Sequence, residues 1–154
     1  MNKAGESAVF WATGCGIGRA RRAPGTFGTL LGIPLAFIIS ILPGPLNLAL
    51  LLGLIVFSVA VSERASMIMS QKDPGSIVID EIAGYCVAVF GLPFNFSTVA
   101  AGFVLFRLLD ILKPWPVRYF DRNFSGGTGI TADDVAAGLI ALPVLHLMNF
   151  LNII

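Results

Sequence analysis

Three long stretches of the chain carry no charged residue: Phe27–Ser62, Ile82–Phe106 and Val135–Ile154. As one straight helix the first would reach roughly 54 Å, well beyond a hydrocarbon core of about 30 Å. Pro43-Gly44-Pro45 sits near its middle, and such a cluster breaks a helix. The pattern therefore predicts two helices, about 29–42 and 46–66, joined by a tight turn that returns the chain to the side it left. Each arm is at the short end for spanning, which suits a shallow or tilted insertion.

Ile82–Phe106 is interrupted by Gly91-Leu92-Pro93-Phe94-Asn95. It reads either as one broken crossing or as a short helical hairpin that dips in and comes back. We take the hairpin, because it sets Glu81 and Arg107 on one face. Val135–Ile154 is long enough for one crossing, and His146 within it reads as a packed or interfacial side chain. Gly126-Gly127-Thr128-Gly129 reads as a flexible loop before that helix, with Thr131 as N-cap and Asp134 three residues on. The sum is an all-α fold in a single domain over 1–154: a compact bundle of about six helices, several short, broken or membrane-embedded.

Composition agrees. Of 154 residues, 56% are hydrophobic and 12% charged, about half the charge of a soluble domain. A net charge of +1 gives nucleic-acid binding no electrostatic support. Two cysteines, Cys15 and Cys86, are too few for a disulfide framework. The apolar patch Ala8–Ala12 is short, and Arg19, Arg21 and Arg22 follow it, so no cleaved signal peptide is expected. Those arginines, with Arg64, Lys72, Arg107, Lys113, Arg118 and Arg122, flank the apolar runs and favour a cytoplasmic polar face. Trp115, between Pro114 and Pro116, suits the membrane interface.

The chemistry lies between the apolar runs, where carboxylates are costly unless paired, metal-bound or hydrated. Asp80-Glu81 can both reach one hard cation, or can simply favour a helix N-terminus. Capping explains at least one of Asp133-Asp134. Spacing of three puts Arg107 and Asp110 on one helical face, and Pro114 fixes Lys113 at the helix end. An internal Arg107–Asp110 pair is one reading. The other is phosphate chemistry, in which cations hold the anionic substrate, carboxylates hold a metal and one carboxylate orients water.

Two further patterns overlap in one loop. Cys15 through Arg21 satisfies Cys-x5-Arg, the loop in which a thiolate attacks phosphorus while backbone amides and the arginine cradle its oxygens. Gly14 precedes the cysteine, and no strand signal is present. Gly14-x-Gly16-x-Gly18 lacks the third glycine of a dinucleotide loop, since residue 19 is arginine. A non-catalytic membrane protein is the remaining alternative: nine acidic and ten basic residues allow near-complete structural pairing.

Four segments carry a family resemblance: Ala23-Pro24-Gly25-Thr26-Phe27-Gly28-Thr29, Gly75 through Glu81, Arg107 through Pro116, and Gly126 through Asp134. In order and spacing, from about residue 13 to 140, the chain resembles bacterial phosphatidylglycerophosphatase A. The resemblance implies an all-α, magnesium-dependent lipid phosphatase of the bacterial inner membrane. Its substrate is phosphatidylglycerophosphate; its products are phosphatidylglycerol and phosphate. Joined to the residues, it assigns Asp80, Glu81 and Asp134 to one or two magnesium ions, with Asp133 as a further ligand or as support behind the ligands. Asp110 orients water or completes the metal shell, and Arg107 and Lys113 neutralise the transferring phosphate. Lys72 or Arg19 holds the neighbouring phosphodiester, and Thr26 donates to a phosphate oxygen or serves only its turn. Cys15 is outside the family pattern, and the run Arg19 to Arg22 is more basic than that pattern and suits contact with anionic lipid.

Overall fold

The computed structural model describes residues 3–154. It is all-helical: α1 (Lys3–Ala12), α2 (Pro24–Ile41), α3 (Gly44–Met69), α4 (Ile79–Ala88), α5 (Phe96–Leu112), α6 (Val117–Asn123) and α7 (Gly126–Phe150), with a 3-10 turn at Ile17–Arg19. No strand occurs among the described residues. The expected helix classes hold, including the break at Pro43-Gly44 and the α4–α5 hairpin about Gly91–Asn95. α1 and α6 are the helices that the apolar runs did not outline; α6 is separated from α5 by Pro114 and Pro116, which lack the N–H groups a continuous helix needs.

Three boundaries differ from the sequence expectation. α2 starts at Pro24 rather than near 29, with proline in its first turn, where a missing N–H costs nothing. α3 runs on to Met69 and ends at Ser70 in the left-handed conformation. The largest correction is α7. Gly126–Gly129 is helical rather than a loop, and Ser125, not Thr131, occupies the N-cap position. These glycines serve close packing. A Cβ on Gly127 would lie 2.6 Å from the Glu63 backbone nitrogen, so only glycine lets α7 start against α3. The Thr131 hydroxyl is instead 2.9 Å from that of Ser58, a buried pair across the α3–α7 seam.

Three helices, α2, α3 and α7, are long and apolar enough to cross a membrane. Their outward faces display large apolar side chains such as Ile41, Val56 and Phe150, while small residues line the seams, as expected where lipid removes the drive to bury leucine. At Gly84 of α4, a Cβ would sit 2.7 Å from the Asp134 carbonyl oxygen, so α4 and α7 touch backbone to backbone. Tyr85, Phe106 and Leu145 fill the core between α4, α5 and α7.

Chain direction decides where the polar groups go. The α2–α3 hairpin brings the end of α3 back toward the start of α2, and the α4–α5 hairpin does the same for Glu81 and Arg107. α7 begins against the end of α3. Polar segments far apart in sequence thus meet at one end of the bundle.

Candidate active site

The helix ends enclose a cavity of about 270 Å³. The start of α2 contributes Pro24 and Gly25, the loop before α4 contributes Asp73, and α4 itself Asp80 and Glu81; α5 and its cap contribute Arg107, Asp110 and Lys113, and α7 Asp133 and Asp134. Carboxylate oxygens of Asp80, Glu81 and Asp134 lie within 4.8 Å of one another. Asp80 and Asp134 are buried, and Asp80 Oδ1 and Glu81 Oε2 have no hydrogen-bond partner among the described residues.

Such a cluster is unfavourable as bare charge. Burial pushes the Asp80 carboxyl well above the usual range, and the neighbouring Glu81 and Asp133 charges add to this. Burial also lifts Glu81 to about 7, with Asp110 raising it and Asp80 and Arg107 opposing. Orphaned buried oxygens, an all-oxygen donor set and a shared focus suit a hard divalent cation. A metal site fits these residues.

The cations stand around this cluster. Arg107 Nη1 bonds Asp110 and lies 3.9 Å from Glu81 Oε1, and its buried Nε has no partner among the described residues. Lys113 Nζ reaches Asp121 and Asp133, each at 2.5 Å. Burial lowers the Lys113 pKa, but the two carboxylates outweigh that and hold it raised and charged. Gly25 brings the backbone of α2 against this group: a Cβ there would lie 2.9 Å from Arg107 Nη1.

Seven of the residues chosen from sequence therefore meet: Asp80, Glu81, Arg107, Asp110, Lys113, Asp133 and Asp134. Others do not. Thr26 does not line the cavity, and its amide is already committed to the Ala23 carbonyl at 3.0 Å; Gly25 stands there in its place. Lys72 lines a small adjoining space of about 30 Å³, which shares Asp73, Ile130 and Asp133 with the main cavity. Arg19 is exposed and lines neither. Asp121 was not singled out from sequence; its signal was the eight-residue offset from Lys113 across a proline-fixed bend.

The Cys-x5-Arg loop has no geometry for an anion. The amides of residues 15 through 20 all donate to backbone carbonyls, leaving none to cradle phosphate oxygens. Cys15 and Arg21 do not line the carboxylate cavity. His146 Nε2 lies 3.0 Å from the Phe90 carbonyl oxygen, a structural contact away from the site.

With that geometry in view, comparison with known proteins gives consistent results. The family model for phosphatidylglycerophosphatase A matches residues 10–149. A protein of that name from Escherichia coli (strain K12) is 42% identical over 140 residues, covering 90% of this chain and 81% of its own. Its namesake from Haemophilus influenzae is 36% identical over 142 residues, covering 90% and 86%. A relative from Bacteroides thetaiotaomicron, 36% identical over 144 residues and covering 89% and 90%, bears the provisional name phosphatidylinositol-3-phosphatase. No solved structure matches.

Proposed function

The chain belongs to the phosphatidylglycerophosphatase A family, and on that premise we propose that it hydrolyses the terminal phosphomonoester of phosphatidylglycerophosphate to phosphatidylglycerol and phosphate. The observation that carries this reading is the convergence of Asp80, Glu81 and Asp134 in a cavity bordered by Arg107 and Lys113. That cavity sits at one end of helices apolar enough to cross a membrane. A lipid substrate can keep its acyl chains among those helices while its headgroup enters the charged end.

Asp80, Glu81 and Asp134 would hold magnesium, whose small size and preference for carboxylate and water oxygen match this donor set. Bound there, the ion would supply positive charge to the phosphate oxygens and acidity to water. Arg107 and Lys113 take up charge on the transferring phosphate as it develops. Each is already anchored by carboxylates, Arg107 by Asp110 and Lys113 by Asp121 and Asp133, so little side-chain freedom is lost when substrate arrives. Asp133 acts from outside the cluster by fixing Lys113. Asp110 orients the attacking water opposite the glycerol oxygen. The new bond joins water oxygen to phosphorus, the phosphorus–glycerol oxygen bond breaks, and the glycerol oxygen leaves as a hydroxyl. Lys72, beside the cavity, holds the phosphodiester that stays in the product.

Arg107 and Lys113 line the cavity, Lys72 lies beside it, and the remaining arginines flank the apolar runs in sequence, which supports a cytoplasmic active site in the bacterial inner membrane. Phosphate release from phosphatidylglycerophosphate in micelles tests the assignment, run with magnesium, with EDTA, and with EDTA followed by excess magnesium. Chelation abolishes release and magnesium restores it. Release that survives EDTA sinks the metal assignment; faster release from phosphatidylinositol 3-phosphate or phosphatidic acid sinks the substrate assignment.

A further inference from the structure

A second cavity, of about 420 Å³, opens between α1 and α3, and it shares no lining residue with the carboxylate site. One helical face of α3 supplies Phe57, Ala60, Val61 and Arg64, and α1 supplies Trp11. Trp11 and Phe57 meet edge to face, 6.2 Å between centroids, and remain 46% and 41% exposed. Arg64 lies seven residues from Phe57, roughly 10 Å along the helix. It is exposed and has no ion pair among the described residues. Its neighbour Glu63 points elsewhere, toward Gly127 of α7.

The cleft is thus aromatic at one end and cationic at the other, with small side chains between. We propose that it binds one anionic phospholipid of the surrounding bilayer, with the phosphate on Arg64 and the upper acyl chain against Trp11 and Phe57. Charge complementarity selects the occupant. The lining contains a guanidinium and no carboxylate, so it answers a net negative headgroup and offers nothing to the ammonium of a zwitterionic one. Arg64 and Phe57 lie about two turns apart on one face of α3, so a single helix face can meet both the phosphate and the acyl chain of one lipid. This is a binding site separate from the reaction, and its occupant does not have to be a substrate.

Trp11 is itself the reporter. The protein has two tryptophans, and Trp115→Phe leaves Trp11 alone in the full chain. Its fluorescence is titrated in micelles with acyl-brominated phosphatidylglycerol and, separately, acyl-brominated phosphatidylcholine. Phosphatidylglycerol is expected to half-quench Trp11 at an about fivefold lower mole fraction, the weight of one arginine against an anionic headgroup. Arg64→Gln should bring the two lipids together, and Ala60→Leu, which fills the cleft without changing charge, should do the same. Equal quenching in the parent overturns the site. So does a preference that survives both substitutions, or one of the same size at Trp115 in a Trp11→Phe protein, since general enrichment of anionic lipid would then explain it. Fold is checked by phosphate release, which neither cleft substitution should change.

Discussion

The Glu63 carboxylate on α3 accepts a hydrogen bond from the backbone N–H of Gly127 in the first turn of α7. A carboxylate there satisfies one of the orphan donors of a helix start and faces the positive end of its dipole. It also fixes where α7 begins, and α7 carries Asp133 and Asp134 on its next two turns. Glu63→Ala is expected to lower stability by about 1–2 kcal/mol, the loss of a helix cap. Activity should fall further than stability alone explains, because Asp134 loses its register. Glu63→Gln keeps an acceptor and should recover most of the unfolding temperature in detergent. Equal stability of all three proteins would remove the cap from this account.

Asp80→Asn and Asp134→Asn should each cut turnover by about 100-fold or more while leaving a folded protein. Without metal, each variant should also be more stable than the parent, by about 1 kcal/mol, because one of several crowded like charges is gone. Thermal unfolding in EDTA beside turnover in magnesium checks both signs. A variant that is inactive because it fails to fold would favour a structural role for the carboxylates.

Glu81 sets a pH dependence. Its carboxyl is raised in the folded protein to about 7 from an ordinary 4.5. Between those values the folded state binds more protons than the unfolded state, so stability falls as pH rises through that window. The metal-free protein should therefore lose a few kcal/mol between pH 5 and pH 8. A bound divalent cation competes with those protons, so stabilisation by magnesium should grow across the same range. Melting curves at several pH values, with and without the ion, give both slopes. A metal-free protein that gains stability toward pH 8 would contradict the buried cluster.

Gly25→Ala tests the approach of α2 to the site. The added Cβ would fall against Glu81 Oε1 and 2.9 Å from Arg107 Nη1. The Arg107 side chain must then move, and kcat/KM should drop about 10- to 100-fold with little change in unfolding temperature. Thr26→Ala, one residue on, should change kcat/KM less than threefold, since Thr26 lies outside the cavity and its amide serves the helix.

The sequence revealed these residues unevenly, for physical reasons. Charged side chains between apolar runs have few places to go, so Asp80, Glu81, Arg107 and Asp110 could be grouped before any contact was known. Breaks such as Pro43-Gly44 and Gly91-Leu92-Pro93 were equally legible, because proline and glycine act locally. The start of α7 was not. Glycine and threonine near residue 127 read as loop by local preference, and only packing against Glu63 and Ser58, more than 60 residues away, makes that segment helical. Asp121 was hidden by the bend at Pro114 and Pro116, which local periodicity does not follow, and Thr26 was given a role that the adjacent Gly25, which lines the cavity, is placed to fill.

The charge-free hairpin tips have a consequence for how the protein reaches its place. From Phe27 to Ser62, from Ile82 to Phe106 and from Val135 to Ile154 there is no charged side chain, so the turns at Leu42–Gly44 and Gly91–Asn95 can pass into or through a bilayer without carrying charge into hydrocarbon. Moving one elementary charge through a potential of 100 mV costs about 2.3 kcal/mol, a cost that does not arise for these two turns. Insertion of the two hairpins should then proceed equally well in energised and de-energised membranes, with hydrophobic transfer as its drive and the arginines and lysines that flank them as its anchor.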